Sequence, residues 1–307
     1  MAFTAKDVKE LREHTGCGMM DCKNALTEAD GDFDKAIEIL REKGLAKQAK
    51  KAGRIASEGM VFAEVDKAEK IGVIVEINSE TDFVAKNDQF RKFVSDVADV
   101  ILRKAPATVE ELLTMETAGG ITVEADLQEK ILVIGENIKI RRFVRYEGPC
   151  VAYVHAGGTH AALVCFDVSD EVYAKPEFET YGRNVAMQIV SMNPLYLDKA
   201  GVPGEVIEKE KEILLAQMNN DPKEAAKPDN IKEKIVLGKV SKYYKENCLV
   251  EQVYVQDDKK TVSSYTSDTA KALGGDIKIT AFTRYEKGEG IEKKVDDFAA
   301  EVASMVK

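Results

Sequence analysis

The spacing of apolar positions changes several times along this chain, and each change marks a different kind of element. Over the first fifty residues the spacing is helical. Val8 and Leu11 share a face of a helix that Thr4 can cap and Thr15-Gly16 stops. A second helix is expected from Met19 to Ala29, closed by Ala29-Asp30-Gly31. A third carries Phe33, Ile37 and Leu40 and stops at Gly44. Together they predict a small three-helix bundle. Lys43, Lys47, Lys50, Lys51 and Arg54 follow among small residues, as in a helical or loose linker with a solvated face.

From Gly59 the pattern becomes that of strands. MVFAEVD and IGVIVEIN are β-branched and alternating, and the charged turn between them predicts an antiparallel hairpin. After Asn87, a good cap, Phe90, Phe93, Val94, Val97, Ala98 and Ile101 mark an amphipathic helix. Another helix, Leu127 to Ile134, leads through Gly135 into the strand IKIRRFVRY.

This region occurs twice. Val164 and Phe166 stand where Val75 and Ile77 stand 89 residues earlier, and Ala174-Lys175 repeats Ala85-Lys86 at the same offset. Phe178, Tyr181, Val185, Ala186 and Ile189 then repeat Phe90, Phe93, Val97, Ala98 and Ile101 at an offset of 88. Gly274, Ile277-Lys278-Ile279, Phe282 and Arg284-Tyr285-Glu286 repeat Gly135, Ile138-Lys139-Ile140, Phe143 and Arg145-Tyr146-Glu147 at an offset of 139. The jump places about fifty extra residues inside the second copy. Two related α+β units are expected, each a small antiparallel sheet with helices on one side.

The extra residues read as two helices. Val206, Ile207, Ile213, Leu214 and Met218 suit one, and Ile231, Ile235, Val236, Val240 and Tyr243 the other, with NNDPKEAAKPDN as the turn. Two lone helices bury little, so such an arm packs against something else, and a second copy of the chain is one option. A last amphipathic helix is expected at the end, with Ile291, Val295, Phe298, Val302 and Met305 on its apolar side. The expected organisation is a helical domain and linker over 1–55, a first core unit over 56–148 and a second over 149–190 and 245–286. The arm spans 191–244 and the terminal helical module 287–307.

Charge narrows the function classes. With 44 Lys+Arg against 54 Asp+Glu the net charge is −10, unsuited to a general nucleic-acid binder, and the basic linker lacks interleaved aromatics. The charged start and the absence of a long apolar run predict a soluble, cytoplasmic protein away from membranes. Five cysteines, at 17, 22, 150, 165 and 248, do not form a disulfide pattern. There is no phosphate loop, no Gly-x-Ser-x-Gly and no complete Gly-x-Gly-x-x-Gly, so no nucleotide or other cofactor is expected. Cys17 and Cys22 lack the second close pair of a zinc site. Cys165 with His155 or His160 is a conceivable nucleophile pair, set against the simpler reading of a buried strand cysteine.

Two features stand out. Met19 and Met20 point about 100° apart on a helix, so a bundle this small cannot readily bury both. They suit a protein-binding surface or packing at the helix start. Glu80-Thr81-Asp82-Phe83 follows a strand and precedes a helix. It could present a charge and an apolar wedge to a partner; alternatively Thr81 caps the helix, Asp82 favours its dipole and Phe83 joins the core. The second copy has Asp170-Glu171-Val172 there, and no aromatic until Tyr173.

Three motifs, in order, resemble bacterial translation elongation factor Ts. They are Thr15-Gly16-Cys17-Gly18-Met19-Met20-Asp21-Cys22-Lys23 with Ala25-Leu26, then Glu80-Thr81-Asp82-Phe83-Val84-Ala85-Lys86-Asn87, then Gly288-Glu289-Gly290-Ile291-Glu292-Lys293. The resemblance spans essentially the whole chain. It implies a multi-domain α+β fold with an N-terminal bundle like ubiquitin-associated domains, and a guanine nucleotide exchange factor for elongation factor Tu rather than an enzyme. Thr81, Asp82, Phe83 and Val84 would form the wedge that enters the GTPase near its magnesium and phosphates. Gly18, Met19 and Met20 would lie in the N-terminal contact, His155 would touch the partner's third domain, and the arm would serve packing or a homodimer. The turn Gly157-Gly158-Thr159-His160-Ala161 departs from the family's usual Arg-Ile-Gly-like stretch. A passive partner of the same GTPase, without exchange activity, is the rival expectation.

Overall fold

The computed structural model describes residues 3–15, 17–51 and 53–292. At the start of α1 (Ala5–Thr15) the Thr4 N–H donates to the Asp7 carboxylate at 2.6 Å while the Thr4 hydroxyl accepts the Asp7 N–H. This reciprocal cap, led by the Thr4 N–H, holds the Asp7 carboxyl below its ordinary pKa. With α2 (Met19–Glu28) and α3 (Phe33–Lys51) the first helix encloses Val8, Leu11, Cys22, Ala25, Leu26 and Leu40.

The third helix does not stop at Gly44. A Cβ there would lie in ordinary contact, 3.5 Å from the Gln128 carbonyl and 3.7 Å from the Leu132 Cβ, so Gly44 sits inside the helix against Gln128 and Leu132 instead of ending it. The helix therefore carries the basic segment as far as Lys51.

The first α+β unit contains β1 (Glu58–Asp66), β2 (Ile71–Ser79), α4 (Asp88–Lys104), α5 (Val109–Thr114), α6 (Val123–Ile134) and β3 (Lys139–Glu147). Its sheet is antiparallel in the order β1-β2-β3. The second unit runs β4 (Cys150–His155), β5 (His160–Val168), α7 (Asp170–Tyr173) and α8 (Pro176–Met192). The arm follows as α9 (Gly204–Asn220), α10 (Pro222–Ala225) and α11 (Asp229–Asn247). Then come β6 (Val253–Tyr254), β7 (Asp257–Thr261), α12 (Val262–Leu273) and β8 (Ile277–Glu286), and the second sheet is ordered β4-β5-β8. The paired β6 and β7 are an addition to the expected elements: DDKKT has no apolar alternation to announce a strand.

The duplication extends to backbone irregularities. β2 meets β3 through a register shift between Glu76 and Ile77, and β5 meets β8 through one between Cys165 and Phe166. These are equivalent positions of the repeat.

Helices cover one face of each sheet, and the other faces pack together. Val73, Val75 and Ile77 point to the first helical core, with Phe90, Phe93 and Ile101. Ala162, Val164 and Phe166 point to the second, with Phe178 and Tyr181. Between the sheets lie Val61, Ala63, Ile74, Cys150, Ala161, Leu163, Cys165 and Tyr285. IGVIVEIN does not alternate as expected: both faces of β2 and β5 are buried, so it and AALVCFDV are nearly continuous apolar runs. Gly72 lets the sheets approach, since a Cβ there would sit 2.8 Å from Leu163 Cδ1.

In the arm, α9 and α11 pack around Ile207, Leu214, Met218, Val236 and Val240. Ile213, Leu215, Ile231 and Leu237 remain exposed. The expected terminal helix lies outside the described residues from 293 on. Among the described residues no helix is long and apolar enough to cross a membrane.

Candidate partner interface

The turn after β2 presents Phe83 to solvent. Its side chain is 76% exposed, while its neighbour Val84 is 5% exposed and anchors the turn in the first core. Phe83 borders an open cleft of about 270 Å³ lined also by Val84, Asn87, Gln89, Val133 and Ile134. Asp82 pairs with Lys86 at 3.2 Å, and the Lys86 ammonium lies 5.8 Å from the centre of the Phe83 ring. Both charges are largely exposed, so the pair adds little to stability but sets a carboxylate and an ammonium beside the ring.

The alternative reading of this segment fails for Thr81 and Phe83. Asn87 caps α4 by accepting the N–H groups of Gln89 and Phe90. Thr81 instead donates its N–H and hydroxyl to the Glu136 carboxylate, at 2.9 and 2.6 Å. Its carbonyl accepts from the Ser79 hydroxyl at 3.0 Å. Glu80 accepts the Asn137 N–H at 2.6 Å and pairs with Arg54 at 3.5 Å. Glu136 and Asn137 escaped the sequence reading; their one signal is a position directly after the Gly135 that ends α6, where α6 turns toward β3.

Met19 and Met20, on the first turn of α2 behind Gly18, are 44% and 63% exposed. The bundle interior takes Cys22, Ala25 and Leu26 from the same helix. His155 ends β4, exposed, with Nδ1 3.0 Å from the Tyr153 hydroxyl. The turn beyond it has positive φ at Ala156, Gly157 and Gly158. The Gly158 carbonyl accepts the Val61 N–H at 2.8 Å, which fixes the tip of this hairpin against β1.

The Gly288-Glu289-Gly290 motif ties the end of the second sheet to the first. Glu76 is fully buried in β2 and accepts the Gly288 N–H at 2.8 Å, Arg142 Nε at 2.6 Å, Arg141 Nη1 at 3.0 Å and Asn78 Nδ2 at 3.1 Å. Burial pushes the Glu76 carboxyl up, but these bonds, led by that from Gly288, outweigh it and hold it below the ordinary range. Arg141 also donates to the Glu289 carbonyl at 2.6 Å, and Arg142 lies over the Tyr285 ring at 4.1 Å.

The cysteines are spoken for structurally. All five are buried and free of disulfides. Cys165 faces Cys150 across the β4–β5 pair, and the hydrogen bond with Cys150, with burial, pushes its thiol far up; a thiol held in that state is a poor nucleophile. Cys17 and Cys22 donate weakly to the carbonyls of Thr15 and Cys17.

A helical bundle joined to a duplicated sheet-and-helix core presents an exposed aromatic on a clamped turn, and that architecture can be set beside known families. The family model described as "Elongation factor TS" matches residues 80–289. The curated Elongation factor Ts of a Nitratiruptor species is 50% identical over 311 residues and the whole of both chains. That of Trichlorobacter lovleyi is 50% identical over 99% of this chain and 98% of its own, and that of a type A strain of Clostridium perfringens 49% over 99% of both. The chain belongs to the elongation factor Ts family.

Proposed function

We propose that this protein is the guanine nucleotide exchange factor of elongation factor Tu in translation elongation. It breaks no bond. It binds the nucleotide-free GTPase more tightly than the loaded one, and reciprocity then requires nucleotide to bind the complex more weakly. Magnesium ties nucleotide phosphates to a GTPase, so disturbing its support removes a large electrostatic contribution. Phe83 is the apolar wedge that displaces the segments around the magnesium. Asp82 brings a carboxylate to a site that already holds phosphate, and like charge there favours release. Gly18, Met19 and Met20 lie in the N-terminal contact with the GTPase domain, and His155 meets the partner's third domain. The arm, with Leu237 exposed on it, is the surface for a homodimer, checked by sedimentation with and without Leu237→Lys.

The observation that carries this reading is Phe83, a large aromatic held 76% exposed by a turn whose base is buried and hydrogen-bonded. The test is release of a fluorescent GDP analogue from elongation factor Tu, by stopped flow with excess unlabelled GDP, as the protein is titrated in. Acceleration at catalytic amounts is expected. Unchanged release from two proteins that co-elute would leave a passive partner instead.

A further inference from the structure

We infer that Glu136 is a positioning residue for the wedge: through Thr81 it fixes the turn that presents Phe83. The inference rests on the exchange reading above. The base of the turn is clasped twice. One carboxylate takes both donors of Thr81, and Glu80 returns a bond to the Asn137 N–H, so two adjacent residues on each loop hold the other pair. Bonds to ionised carboxylates are short and strong, and paired ones fix orientation as well.

The supporting loop is itself anchored from behind. Asn137 is 6% exposed and donates from Nδ2 to the Arg54 carbonyl at 2.9 Å, and Lys51 donates to the Gly135 carbonyl. Leu132, one turn before that loop, is buried among the residues of the N-terminal bundle. The loop that holds the wedge turn thus follows a helix packed into the N-terminal bundle.

The duplication provides an internal comparison. At the offset of 139, Glu136 corresponds to Gly275, and at 89, Phe83 corresponds to Val172. In the second copy Val172 is 3% exposed and folds down over Gly275, where a Cβ would lie 2.7 Å from Val172 Cγ2. Ser169, at the place of Glu80, caps α7 instead of reaching across. The copy with glycine at the support buries the residue at the wedge position; the copy with glutamate there exposes it. Glu136 therefore takes the room that an inward residue 83 would need and clamps Thr81 in the outward conformation.

The test is a double-mutant cycle on release of a fluorescent GDP analogue from elongation factor Tu, with wild type, Glu136→Ala, Phe83→Ala and the double variant. Maximal rate and half-saturating concentration are separated for each. Glu136→Ala is expected to lower the maximal rate about ten-fold, to move half-saturation less than about two-fold, and to cost nothing further once residue 83 is Ala. Thr81→Val, which keeps the backbone N–H but loses the hydroxyl donor, should lower the maximal rate in the same direction as Glu136→Ala and by less. Equal losses in both backgrounds, the result of a general weakening of the fold, would overturn the inference, as would a wild-type rate in Glu136→Ala. A second readout needs no exchange activity: the Thr81 amide should exchange with deuterium about ten-fold faster in Glu136→Ala while β2 amides stay unchanged. Equal exchange would contradict the clasp. If the wild-type protein did not accelerate release, the exchange reading would fail, and the amide measurement would still decide the clasp.

Discussion

Phe83 and Val172 occupy the same place in the two copies of the repeat and point opposite ways, one 76% exposed and the other 3%. A side chain in solvent does not hold the fold together, so Phe83→Ala should leave unfolding within about 0.5 kcal/mol of wild type. Val172→Ala, which empties a core position, should cost about 1–3 kcal/mol. Urea denaturation of the two variants beside wild type measures both. A large loss in Phe83→Ala would mean that the ring packs somewhere in solution.

The two glycines of the third motif should differ sharply. Gly288 has φ +70°, and a Cβ there would stand 2.1 Å from the Ser57 carbonyl oxygen; Gly290 has φ +73°, but its nearest neighbour would be Arg141 Nη2 at 3.9 Å. Gly290→Ala should cost about 1 kcal/mol of left-handed strain and Gly288→Ala at least about twice that, because backbone must also move. Thermal melting of the pair decides it.

Acid should act on the same tie. The Glu76 carboxyl is held below its unfolded value, so its contribution is complete above that value, about pH 4.3, and is lost as pH falls through the lower folded value. Glu76→Gln should be destabilised by about 3–5 kcal/mol at neutral pH, since it leaves Arg141 and Arg142 around an uncharged amide. The gap between variant and wild type should narrow as pH drops through that window, as read by denaturation at a series of pH values. A constant gap would contradict the assignment.

Glu64 should behave with the opposite sign. Burial, with Asp99 nearby, pushes its carboxyl up despite Arg103, and its Oε1 has no hydrogen-bond partner among the described residues. A raised carboxyl costs stability as pH rises above its unfolded value. Glu64→Gln should therefore melt higher than wild type at neutral pH, and the advantage should vanish below about pH 4.

The sequence made the helical bundle, the duplicated unit and the arm legible, because each is written in periodicity and in offsets between copies. Gly44 was misread because a glycine inside a helix signals a stop unless the crossing helix is known, and only the fold brings Gln128 and Leu132 beside it. For Met19, Met20 and Phe83 the sequence left both a surface and a packed position open, and the structure exposes all three. Glu136 was not, because its role depends on a partner 55 residues away in the chain. Glu76 left a trace that went unread: a lone acid in an otherwise apolar strand, with Arg141-Arg142 in the strand that pairs with it.

Phe83 is proposed to drive release of nucleotide rather than merely to add contact. The most direct measurement compares wild type with Phe83→Ala in stopped-flow release of labelled GDP from elongation factor Tu, across a range of factor concentrations. The maximal rate is expected to fall by about ten-fold or more while the half-saturating concentration changes little. An unchanged maximal rate, with only the half-saturating concentration raised, would contradict it.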